Sequence, residues 1–178
     1  MIGFLRFVGL LNAAVWFGAA LFYTVIASPA FASREMSELL TARNFPFFSV
    51  AIAQILASRF FQLQLVCSLL AVSHVLAEWL YLGKVPHRFW RALLFTLLAL
   101  NLACGLWIEP RLKSWHHRAF ALNAPPGTAN FAARRFRAWQ TTAEMVNFLM
   151  VGGLGVYLWR MANPPDPTRS LNTGKFRS

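Results

Sequence analysis

Acidic residues are scarce in this chain: six Asp and Glu stand against seventeen Lys and Arg in 178 residues, a formal net charge of +11. Charge of either sign is scarce as well, at 13%, where a soluble domain carries roughly 25%. Cysteine is nearly absent. Cys67 and Cys104 each lie inside an apolar block, outside any CxxC or Cys/His cluster of metal-ligand spacing, so they read as small buried hydrophobes and no metal is expected. No catalytic triad is present, and Gly152-Gly153-x-Gly155 lacks the Lys and Ser/Thr of a phosphate loop. No internal repeat is evident, which removes the support an inverted-repeat transporter would need.

What is abundant is apolar: 57% of the residues are hydrophobic, gathered in long blocks between short charged stretches. A soluble domain of this length cannot hide so much apolar surface, so the fold class is all-α, a polytopic membrane protein. The basic residues lie mainly between and after the blocks, where they act as topology determinants and meet anionic lipid headgroups. No basic, aromatic-studded soluble module is left over, so nucleic acid is not expected as a partner.

The blocks predict a single transmembrane domain over residues 1–162, a four-helix bundle with spans at about 4–27, 59–82, 89–108 and 138–160. Ala30-Phe31-Ala32 has the form of a signal-peptidase site, but the preceding apolar stretch is long for a signal and its flank carries only Arg6, so cleavage is not expected. Phe45 to Leu82 is too long for one span. The lone Arg59 marks the expected change of direction, leaving 45–58 as an additional interfacial helix. Gly83 to Arg88 reads as a basic turn, and Trp115-His116-His117-Arg118 falls in an amphiphilic stretch closed by an Ala-Pro-Pro-Gly breaker. Residues 163–178 read as a polar, disordered tail.

Tryptophans prefer the headgroup level. Trp79, Trp90 and Trp159 fall at one face of this arrangement and Trp107, Trp115 and Trp139 at the other, with Trp16 alone in mid-span. Positive charge is nearly balanced between the faces. The short basic turn favours the cytoplasm for the side holding both termini, in a bacterial inner membrane.

Polar groups within spans are the best leads to chemistry, because each costs free energy unless it finds a partner or lines a wet cavity. The candidates are Asn12, Arg59, His74, Glu78, Asn101, Glu144 and Asn147. His74 and Glu78, spaced i,i+4, share a helix face; they suit a proton relay or half of a metal site, although one interhelical hydrogen bond explains His74 as well. Counting at about 1.5 Å per residue puts Asn12 and His74 at a common depth of about 20–25 Å. Asn101, Glu144 and Asn147 form a shallower layer, with Arg59 above it and able to pair with Glu144 over a polar pocket. A bis-histidine haem needs ligands on facing helices, and only His74 is clearly within a span, so no cofactor is expected. Gly9, Ala13, Ala14, Gly18, Ala19 and Ala20 offer the first span a close-packing face.

Trp16-Phe17-Gly18 followed by Phe22, Pro29 and Phe31, then Phe45-Pro46-Phe47-Phe48, then Phe136-Arg137 with Asn147 eleven positions after that phenylalanine, resemble the transmembrane-protein-205-like family, catalogued in bacteria as domain of unknown function 4149. The resemblance covers residues 7–160. It implies four spans and no established enzymatic activity. Relatives carry His and Ser where this chain has Gln140 and Ala143, so no role resting on that His carries over. The functional expectation is a structural or accessory membrane component and no enzyme, with lipid, other membrane subunits or a second copy as partners. A small transporter for a metal ion or solute is the alternative, and a haem- or quinone-linked enzyme the third.

Overall fold

The computed structural model describes residues 2–82, 88–120 and 125–163, and among these every element is helical. The first rod is α1 (Ile2–Phe22), a π-helical turn (Tyr23–Ala27) and the short α2 (Ser28–Phe31). The second is α3 (Arg34–Leu82). The third joins α4 (Arg88–Ala103) through another π turn (Cys104–Ile108) to α5 (Glu109–Ala119), and the fourth is α6 (Pro126–Ala162). Each rod contains a stretch long and apolar enough to cross a membrane: Gly3–Phe31, Phe47–Tyr81, Arg88–Ala119 and Gly127–Ala162. The expected basic turn at 83–87 and the tail beyond Asn163 lie outside the described residues.

Both π turns have the same cause. Pro29 follows the end of the first turn by two residues and Pro110 follows the second by two. Proline has no N–H to give to the carbonyl four residues back, and its ring collides with that carbonyl. Widening the preceding turn relieves the clash: Ser28 donates to the carbonyl of Tyr23, and Glu109 to that of Cys104, five residues back. The helices therefore run through both prolines. This corrects the expected end of the third span's helix at Ile108, since the rod continues to Ala119, and the amphiphilic stretch holding His116 is helix α5. The fourth helix likewise begins at Pro126, twelve residues before the expected start of its span.

The turn between the first two rods is made by Ala32 and Ser33, whose amides bond back to Pro29 and Ala30. The Ser33 hydroxyl accepts from the amide of Met36, capping α3, and Glu35 lies in the positive first turn of the helix. These contacts hold the Glu35 carboxyl below its ordinary pKa, chiefly through a backbone hydrogen bond and then through Ser33. The change of direction expected at Arg59 is not there. Residues 47–82 contain no glycine or proline, and the non-helical backbone within α3 is at Thr41 (φ 62°, ψ 149°), so residues 45–58 continue the helix of 59–82.

α1 and α3 are antiparallel, because Asn12 meets Cys67 while Leu5 meets His74. α1 and α6 are antiparallel too, with Phe17 against Gly155 and Thr24 against Asn147. The core sits among all four rods: Ala13, Trp16 and Ala20 of α1, Phe60, Cys67 and Ala71 of α3, Leu94 and Leu97 of α4, Leu154 and Tyr157 of α6. Half of the expected small-residue face is thus used, with Gly9, Ala13 and Ala20 buried, while Ala14 and Gly18 face outward. Trp16 is fully enclosed and meets Tyr157 edge to face. Large apolar side chains cover the outer faces of the rods, among them Phe7, Val66, Leu106 and Phe148.

Candidate functional site

Three of the polar residues singled out from the sequence join one helix to another. The Asn12 amide donates to the carbonyl of Cys67 at 2.9 Å. His74, buried, places Nε2 2.8 Å from the carbonyl of Leu5, and Gly9 leaves the space its ring occupies. The Asn147 amide donates to the hydroxyl of Thr24 in the first π turn, which donates in turn to the carbonyl of Ala20 in α1. Each bond satisfies a group that burial between helices would otherwise strand, and each fixes the axial register of a helix pair.

The remaining candidates do not converge. Arg59 and Glu144 form no ion pair: the Arg59 guanidinium donates to Gln62 and the Glu144 carboxylate accepts from Gln140, each on its own helix and exposed. The reason is local, since a partner one turn away satisfies each charge without bridging two helices. Glu78 is half-buried, and no hydrogen bond joins it to His74 among the described residues. His74 lies one turn nearer the start of α1 than Asn12 does, beside Leu5 and Gly9. Asn101 is buried in α4, and neither atom of its amide has a partner.

Asn101 has company that sequence reasoning missed. Gln64 of α3 is fully buried with both amide atoms unpartnered, and the Trp16 indole N–H and Tyr157 hydroxyl are buried in the core in the same condition. Gln64 is one of three glutamines in the second apolar region, with Gln54 and Gln62, and the sequence alone does not mark it as the fully buried one.

A second polar cluster lies where α5 packs against α3 and the first turns of α6. Its centre is His116, 1% exposed, with its ring stacked on Phe47 (centroids 5.2 Å apart, planes at 16°) and flanked by Phe120 and Phe136 at 5.0 and 5.7 Å. Beside it a cleft of about 410 Å³ opens between α3 and α5. Gln54, Ser58, Arg59 and Gln62 line it from α3, and Lys113, His116 and His117 from α5, over apolar Phe47, Ala51 and Ile55. No carboxylate lines it, although Lys113 bonds Glu109 one turn back. Nε2 of His116 and Nε2 of Gln54 are buried without partners. Two residues before Lys113, Arg111 is held between the rings of Trp107 (5.8 Å) and Trp139 (5.1 Å).

This cluster joins segments far apart in sequence, at 47–62, 109–120 and 131–136. Its one signal in the sequence is the mixture of His, Lys and Arg with aromatic residues at helical spacing in α5. No group of three or more His, Cys, Asp or Glu able to hold a metal ion occurs among the described residues. No family model matches the chain, and no curated protein and no solved structure matches it.

Proposed function

We propose that this protein is a four-span integral membrane protein acting as a structural or accessory component of a membrane assembly. One observation carries the reading: Asn12, His74 and Asn147 are each committed to a single helix-to-helix hydrogen bond, at separate levels of the bundle, instead of facing a shared path. A solute path needs polar groups free to exchange partners. The outward apolar faces of the four rods support membrane insertion, and the aromatic–arginine contacts near both ends of the rods, Arg160 over Trp90 and Arg111 between Trp107 and Trp139, suit the two headgroup levels. The resemblance to the transmembrane-protein-205-like family belongs to this proposal on its quoted motifs alone.

The haem reading loses ground on geometry. His74 has Nε2 engaged by the Leu5 carbonyl near the start of α1, whereas His116 and His117 lie beside Phe47, near Ser49, whose hydroxyl donates to Phe31 at the far end of that rod. A transport reading rests on the unpartnered amides of Gln64 and Asn101, which lie in the core of the bundle. We assign the chain to a bacterial inner membrane with both termini in the cytoplasm, following the short basic turn at 83–88.

The test is substitution of His74 and Asn147 by alanine in the full-length chain. A structural role predicts a lower unfolding midpoint in detergent and loss of co-purifying subunits or of self-association. Intact assembly with lost solute flux in vesicles would replace this reading with the transporter.

A further inference from the structure

We infer that the cleft between α3 and α5 binds the phosphate of an anionic lipid headgroup, with the acyl chains running along the outer face of α3; the inference rests on the membrane reading above. The first observation is charge: Arg59 and Lys113 face one cleft with no carboxylate in its wall. Lys113 is already matched by Glu109, but among the described residues the guanidinium of Arg59 has only the neutral oxygen of Gln62, so a cation is left for an external anion. Arginine presents a planar fork of donors that fits phosphate oxygens in pairs.

The second observation is independent of charge. His116 and Gln54, both in the wall of the cleft, carry buried nitrogens with no partner, and Ser58 and His117 add polar groups to the same wall. Groups of this kind cost free energy when left alone, so their concentration in one wall marks a place where a polar ligand is worth most. His116 cannot swing away, because Phe47, Phe120 and Phe136 hold its ring.

The third observation selects the source of the phosphate. Phe47, Ala51 and Ile55 add apolar surface to the lining of the cleft, and Ile55 and its neighbour Ile52 are exposed apolar side chains on α3. A ligand that is anionic at one end and apolar at the other satisfies both surfaces, whereas a free phosphate covers only the first. Arg111, two residues before Lys113 on α5, lies between Trp107 and Trp139, an arginine–indole contact suited to the depth where headgroups lie.

The experiment uses the full-length chain in nanodiscs of mixed phosphatidylcholine and phosphatidylglycerol, with lipids retained after extraction counted by native mass spectrometry. We expect phosphatidylglycerol to be retained over phosphatidylcholine. Replacing Arg59 and Lys113 by Gln together should lower that retention about tenfold or more, since each charge-assisted contact is worth about a factor of ten. Arg91→Gln, a surface cation on α4 away from the cleft, should change it less than twofold. Equal losses from both substitutions would mean diffuse surface charge and overturn the site. A second arm adds glycerol 3-phosphate or inorganic phosphate to phosphatidylcholine nanodiscs. Saturable binding there, together with displacement of phosphatidylglycerol when the same compound is added to the mixed nanodiscs, would overturn the lipid assignment in favour of a soluble phosphate compound. Alkaline carbonate washing of native membranes separates the two levels: a chain released by carbonate fails the membrane reading itself, while one that stays but shows no lipid preference fails only the cleft.

Discussion

A side chain at Gly9 has nowhere to go, since a Cβ there would lie 2.5 Å from Nε2 of His74. The imidazole is held by its bond to Leu5, so relief requires moving the ring or separating α1 from α3. Gly9→Ala is therefore expected to destabilise the bundle by about 1–3 kcal/mol, the usual cost of overpacking. Gly18→Ala and Gly152→Ala, where a Cβ meets nothing within 4 Å, should be neutral or slightly stabilising. Unfolding midpoints in mild detergent separate the cases, and Gly9→Ala should cost little more once His74→Ala has removed the ring; a double variant as weak as the sum of its parts would show that the ring is not the obstacle. Asn101 poses the opposite question, because both atoms of its amide are buried without a partner. Such a group costs about 1–3 kcal/mol, so Asn101→Leu should leave the midpoint unchanged or raise it. A fall of similar size would mean that the amide has a partner in the membrane and would move Asn101 from packing to function.

At the scale of helices, proline does more to shape this molecule than charge does. Pro110 obliges the turn before it to widen, and an added residue per turn sets the rotation of α5 about its own axis relative to α4. Pro110→Ala restores the missing donor and lets the turn close to α-helical, which rotates α5 by about 100°, the angle between successive residues. His116 would then leave the ring of Phe47, now 5.2 Å away between centroids. A cysteine pair replacing Phe47 and His116 should cross-link in an otherwise unaltered chain and fail to do so with Pro110→Ala; cross-linking in both would mean that the wide turn persists without its proline. The same reasoning explains what could be read from the sequence and what could not. The long apolar blocks were legible, because twenty or more apolar residues in a row have few other uses. The helix ends were less so: the first and third spans read as ending near 27 and 108, just before Pro29 and Pro110, yet a wider turn carries the helix past each. Arg59 read as an elbow because a lone charge is costly in lipid, but without a glycine or proline nearby the chain had no means to bend there. His116 reads in the sequence only as part of an amphiphilic stretch, because its partners Phe47 and Phe136 lie 69 residues before it and 20 after, and only the packing of three rods brings them together.

For the molecule as a whole, the outer surface decides what the bundle is for. The shortest apolar stretch has 29 residues, or about 44 Å of helix, against a hydrocarbon core of about 30 Å, so every rod has more length than the bilayer needs. The surplus of α3, α5 and α6 meets around His116 and the basic cleft, whereas Phe148 and Leu149 lie farther along α6, exposed at 65% and 68% on a face that only lipid or another apolar helix can cover. Aspartate at either position tests this directly. On the surface of a soluble bundle Phe148→Asp or Leu149→Asp would change stability by no more than about 0.5 kcal/mol and would improve solubility. In a membrane span the same carboxylate costs about 2.5–3.5 kcal/mol near mid-bilayer, enough to lower the inserted fraction severalfold and expose the chain to proteolysis. Phe131→Asp serves as the control, because Phe131 is also exposed, at 52%, but lies in the first turns of α6, against Trp115 of the polar α5. The expected result is normal membrane-bound protein for Phe131→Asp and a sharp loss for the other two. Equal tolerance at all three positions would show that the outer face of α6 meets water, and the membrane reading would fall together with the lipid site built upon it.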